Sequence, residues 1–92
     1  MSHLAMLIER FRDGDPIPVY RRLARSGRRL PEGIEYVASW VTDDLTRCFQ
    51  VVRYEDEATL ESWMSEWSDV VDFEVVPVLT SETAREVIAS RL

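Results

Sequence analysis

Four stretches of the chain are rich in β-branched and aromatic residues, and their order is the tightest constraint on the fold. Residues 4–11, 34–42, 46–54 and 71–79 read as strands. Between the first and second, and between the third and fourth, apolar residues recur at helical spacing. Strand–helix–strand is thus followed at once by strand–helix–strand. The short link Asp43-Asp44-Leu45 joins the two halves as a hairpin. Two such units with right-handed crossovers interleave most simply as a split βαβ sandwich. The expectation is an α+β, ferredoxin-like βαββαβ domain. Its antiparallel sheet runs in the order 4-1-3-2, both long helices lie on one face, and a C-terminal helix follows. At 92 residues there is room for one domain, 1–92.

Local signals agree with this order. Asp13-Gly14-Asp15-Pro16 forms a turn, Asp15 can cap the first helix, and Pro16 suits its first position. Val19, Leu23, Ser26 or Gly27, and Leu30 then follow at helical spacing, and Pro31-Glu32-Gly33 ends the helix. Gly27 falls on the buried stripe, where a missing side chain allows close approach to a sheet. Asp56 caps a second helix, with Leu60, Trp63, Met64 and Trp67 as its core stripe. Ser81 caps a last helix over about 82–91, whose apolar face is weak. Pro77 lies inside the fourth strand and argues for an edge, which is where the order 4-1-3-2 puts that strand.

Composition narrows the functional classes. Eleven basic and seventeen acidic residues give a net charge of −6. A domain of this sign is a poor general binder of nucleic acid, whose affinity comes largely from phosphate contacts. No apolar run approaches the ~20 residues of a membrane span. No basic segment followed by a cleavable apolar stretch opens the chain. Cys48 is the single cysteine, which fits a reducing cytoplasm. Cys48 and His3 are too few soft ligands for a zinc, haem or iron–sulfur centre, and no glycine-rich phosphate loop is present. No metal and no cofactor are expected. The charges are segregated: Arg21, Arg22, Arg25, Arg28 and Arg29 share residues 16–30 with no acid, whereas residues 55–69 are acidic. If the two helices lie side by side, pairing between them accounts for the basic stripe.

The strands do not alternate as a half-exposed sheet should. Leu4, Met6 and Ile8 oppose Ala5 and Leu7, and Phe49 and Val51 oppose Cys48 and Val52. Two helices cannot cover both faces, and a bare apolar face is a large exposed patch. A twofold homodimer that packs the open faces together, or encloses a cavity between them, resolves this. The terminal helix lying over that face is the other solution.

The runs Ile8-Glu9-Arg10-Phe11, Val19-Tyr20-Arg21-Arg22, Leu30-Pro31-Glu32-Gly33, Ser39-Trp40-Val41, Arg47-Cys48-Phe49-Gln50 and Trp67 to Val78 resemble a family of short bacterial proteins. That family is catalogued as domain of unknown function 3303, and the resemblance covers about residues 6–82. It implies a ferredoxin-like fold of the dimeric α/β-barrel group and a homodimer, with no established activity and no catalytic residues to carry over. Relatives within that barrel group include cofactor-independent monooxygenases, haem-degrading enzymes and small-molecule binders. The haem-degrading ones use a histidine on a helix, whereas the lone His3 stands at the start of a strand, so that role does not transfer.

Three polar residues interrupt otherwise apolar strands: Glu9, Gln50 and Glu74. A carboxylate is the group a helix-packed core least accommodates, so all three are assigned to the open face, where their strands are neighbours. Lining a partly dry cavity, they would bind a polar group, and a carboxylate with a raised pKa would serve as a base. Trp40 and Tyr36 are candidates for a stacking wall there. Trp63 and Trp67 fit the core stripe, and Cys48 reads as a structural thiol because no histidine offers to activate it. The favoured reading is a dimer that binds a small, partly apolar molecule through Glu9, Trp40, Gln50 and Glu74. The alternatives are a cofactor-independent monooxygenase or isomerase using the same pocket, and a purely structural dimer.

Overall fold

The computed structural model describes residues 2–92. Its elements are β1 (His3–Phe11), α1 (Ile17–Ser26), β2 (Ile34–Val41), β3 (Arg47–Tyr54), α2 (Glu57–Trp67), β4 (Val71–Pro77) and α3 (Ser81–Ala89), with a short 3-10 turn at Arg12–Gly14. All strand pairs are antiparallel, and the sheet runs β2-β3-β1-β4. This is the expected ferredoxin-like order, with β4 and its Pro77 at an edge. Among the described residues no helix is long and apolar enough to cross a membrane.

Register decides which residues share a face. Leu7 lies opposite Gln50 and Val75, Glu9 opposite Cys48 and Phe73, and Ile8 opposite Phe49 and Glu74. Ala5, Leu7 and Phe11 of β1 are buried with Val52 and Tyr54 of β3 and Val71 of β4. Val19 of α1 and Leu60, Trp63 and Trp67 of α2 close over them in one cluster. Each of the larger side chains contributes roughly 1.5–3 kcal/mol by leaving water, before the entropy of ordering it. The other face carries Met6, Ile8, Phe49 and Val51, half-buried, and Trp40, exposed. α3 buries none of its residues, and the shortest dimension of the molecule is 17 Å, the thickness of a sheet with one helical layer.

Several local expectations are corrected. α1 stops at Ser26 and does not reach Leu30, because Gly27 takes φ 66° and ψ −163° and its N–H bonds the Leu23 carbonyl at 2.8 Å. A Cβ at Gly27 would meet nothing within 4 Å, so this glycine is a helix terminator and not a point of close approach. The α3 cap is Thr80, whose hydroxyl accepts the Thr83 N–H at 3.1 Å, one residue before Ser81. The arginine stripe is mostly not neutralised by α2. Arg22 alone forks onto Asp69 (3.0 and 2.6 Å), bonds the Glu66 carbonyl and covers Trp67. Arg21, Arg25 and Arg29 are exposed, and among the described residues they meet no acid at ion-pair distance. The α2 cap follows expectation, with the Asp56 carboxylate accepting the Thr59 N–H at 2.8 Å. At α1 the N-cap is Pro16 and not Asp15, so the helix starts one residue later than expected, and the Asp15 carboxylate accepts the Ile17 N–H at 3.0 Å from the position before the cap.

Candidate functional site

Between the sheet and the two long helices lies a cavity of about 90 Å³. Its walls are largely aromatic: Phe11 and Phe73 from the sheet, Tyr20 from α1, and Trp63 and Trp67 from α2. Its polar lining comes from Glu9, Gln50, Ser39, Cys48 and Arg28.

The polar groups form one chain of hydrogen bonds. Gln50 Nε2 donates to Glu9 Oε2 at 2.9 Å, and Arg28 Nε donates to Gln50 Oε1 at 2.8 Å. Arg28 Nη2 reaches Ser39 Oγ at 3.3 Å, and Ser39 Oγ lies 2.8 Å from the Tyr36 hydroxyl. The Arg28 guanidinium stacks 4.1 Å from the centre of the Tyr36 ring. Its backbone carbonyl accepts Trp63 Nε1–H at 2.8 Å, which ties this loop to α2. Arg28 stands between two residues of positive φ, Gly27 (66°) and Arg29 (57°), where the chain leaves α1. Tyr36 and Ser39 share a face only because β2 has a bulge. Val37 is the extra residue, so Tyr36 pairs with Val52 and Ser39 with Gln50.

Glu9 is 8% exposed and Gln50 4%. Burial pushes the Glu9 carboxyl up to about 7, against the opposing pull of the Gln50 hydrogen bond and the Arg28 charge. Cys48, its cross-strand partner, is pushed up to about 11 by burial and by the Glu9 charge, so the thiol stays protonated at neutral pH. Every sealed side-chain oxygen or nitrogen among the described residues has a partner. Among the described residues Glu9 Oε1 accepts no hydrogen bond, so it is not sealed, and Glu9 lines the cavity. Among the described residues no three His, Cys, Asp or Glu side chains gather to hold a metal ion.

The expected open-face cluster is therefore divided. Glu9 and Gln50 meet, but on the helix-covered side, because β1 alternates strictly and Glu9 follows Ala5 and Leu7 inward. The cost of placing a carboxyl there is met by the proton it holds and by Gln50. Glu74 lies on the opposite face, exposed, with Arg10 3.9 Å away. Trp40 is also on the open face, 59% exposed, opposite Phe49. The bulge parts it from Tyr36, so the two rings share no wall. The residue that sequence reasoning missed is Arg28, which the spacing groups with the other arginines of the basic stripe. The available signal was Gly27, a helix stop that releases Arg28 from the helical stripe.

A four-stranded antiparallel sheet, one helical layer and a polar chain buried between them define an α+β protein of ferredoxin-like fold with a single carboxyl at its centre. The chain belongs to the family described as Domain of unknown function (DUF3303), whose family model matches residues 4–92. No curated protein and no solved structure matches it.

Proposed function

We propose that this protein binds a small, partly apolar molecule in the cavity between sheet and helices, and that two copies associate through their open sheet faces. The observation that carries the binding reading is Glu9, a largely buried carboxyl that lines an aromatic-walled cavity and has one oxygen, Oε1, left without a hydrogen-bond partner among the described residues. A few convergent polar groups in an otherwise apolar concavity are what a ligand site requires. A water takes roughly 30 Å³ of liquid and a dry cavity of about 150 Å³ admits benzene. A cavity of about 90 Å³ thus suits a fragment of a few non-hydrogen atoms, with any larger remainder at its mouth. The dimer reading is supported by the uncovered Met6, Ile8, Phe49, Val51 and Trp40.

Tryptophan emission tests the binding. Trp63 and Trp67 line the cavity and Trp40 lies on the other face. Titration with a panel of small ketones, phenols and alcohols is expected to give a saturable emission change that persists in Trp40→Phe and vanishes in Trp63→Phe/Trp67→Phe, where melting temperature reports binding instead. If no compound in the panel moves emission or melting temperature, the cavity is packing space and the protein a structural dimer.

A further inference from the structure

The cavity brings together two groups whose pairing suggests a reaction. We propose that it is a proton-transfer site for small, uncharged ketones: Glu9 Oε1 takes the proton from the carbon beside the carbonyl, and the Arg28 guanidinium receives the carbonyl oxygen. This rests on the binding reading above.

The geometry is as follows. Glu9 and Arg28 line the same cavity and stand at opposite ends of one side-chain amide, that of Gln50. They are separated by no more than that amide and two hydrogen bonds. A ketone whose oxygen meets Arg28 therefore holds its adjacent carbon within the neighbourhood of Glu9. Arg28 spends Nε on Gln50 and one Nη2 proton on Ser39, and among the described residues its Nη1 donates to no acceptor. It has donors to spare for a ligand oxygen. The Tyr36 ring and the Trp63 bond to its carbonyl hold it in place beforehand, and donors fixed in advance are what a developing oxyanion needs.

Charge selects the substrate. With Glu9 ionised, Arg28 and Glu9 cancel, and the aromatic walls add none. An anionic ligand would meet the Glu9 carboxylate in the form that must act as base. A neutral ketone meets a neutral cavity and acquires charge only as the reaction proceeds.

The step balances without a co-reactant. Glu9 carboxylate forms an O–H bond with the departing α-proton. The C–H electron pair becomes the new C=C bond, and the carbonyl π pair moves to oxygen beside Arg28. Return of the proton to the same carbon restores the ketone. Where a double bond lies one carbon further along, return to its far end shifts that bond into conjugation. Nothing is oxidised or reduced. A carboxyl near 7 is a stronger base than an exposed one and is about half ionised in a neutral solution, which suits this role. The other titratable or charged side chains lining the cavity are Arg28, Cys48 and Tyr20.

The experiment is proton exchange into the α positions of cyclopentanone and butan-2-one in D2O, followed by NMR, beside tryptophan emission with the same ketones. Wild type is expected to exchange them faster than buffer, with a rate that rises with pH to a plateau around an apparent pKa near that of Glu9. Glu9→Gln is expected to keep the saturable emission change and lose roughly 100-fold or more of the rate. Arg28→Lys is expected to retain charge and binding but lose rate, because the planar fork is gone. Binding without exchange, or exchange that survives in Glu9→Gln, overturns the proton-transfer proposal and leaves the binding reading standing. Absence of any emission or melting response to both ketones overturns the two together.

Discussion

Glu9 follows Leu7 by two residues and Ala5 by four, and all three point towards the helices. The alternation that places it there was visible in the chain; the principle set against it was that carboxylates avoid cores. That principle gave way because the group stays neutral through much of the acid range, and because Gln50 is opposite Leu7 and so within reach. The consequence for stability has a definite sign. The folded carboxyl is pushed up to about 7 by burial, from an ordinary value of 4.5. Between those pH values the folded chain keeps a proton that the unfolded chain releases, so stability declines as pH rises through the window and is level above it. The full difference is about 3 kcal/mol. Glu9→Gln has the same shape and cannot ionise. It is expected to remove that slope and to be the more stable protein at pH 8, by up to about 3 kcal/mol. Urea unfolding of both proteins at pH 5 and pH 8 measures this, and an unchanged slope in the variant would mean that Glu9 is not the group responsible.

At the level of elements, the strands, the two core helices and the strand order were legible because each rests on periodicity and on turn residues. Leu60, Trp63 and Trp67 fall on the buried stripe of α2, and Pro77 ends an edge strand, as their types and spacing require. What was not legible is where a regular pattern is interrupted. Strict alternation sends Tyr36 and Trp40 to one face, and the extra residue at Val37 sends them to opposite faces. A bulge of this kind has no sequence mark as plain as a proline. Gly27 is the second interruption, since its spacing matched the helical stripe while its backbone ends the helix. Its φ and ψ lie where a side chain is strained, although the space around it is open. Gly27→Ala is therefore expected to cost about 1–3 kcal/mol through the backbone alone and to loosen Arg28 next to it. Denaturant unfolding reads the first effect. A variant as stable as wild type would show that the loop accepts another conformation.

For the whole molecule, the two apolar faces of the sheet were legible, but the cavity does not lie on the open face where it was expected. The helix-covered side holds the cavity. The open side carries Trp40, Met6, Ile8, Phe49 and Val51, with Arg10 and Glu74 near one edge. A homodimer through this face is expected to appear in light scattering at micromolar concentrations. Trp40→Glu, which places a charge on an exposed position, is expected to shift it to monomer without altering the Glu9 titration. A wild-type protein that stays monomeric at 100-fold higher concentration would remove the dimer from consideration. Because the cavity and the uncovered sheet face lie on opposite sides of one sheet, variants of one are expected to leave the other intact except through the shared strands.

Gln50 has an effect that extends beyond its two hydrogen bonds. It works as an electrical insulator: it passes the polarity of Arg28 to Glu9 as a donated hydrogen bond and keeps the full charge at a distance. Direct contact with the guanidinium would hold Glu9 permanently ionised. With the amide between them, a neutral solution contains two populations of the same fold in comparable numbers, differing by one proton. A ligand that prefers one of them draws in the other, so that occupancy of the cavity is coupled to the proton concentration outside.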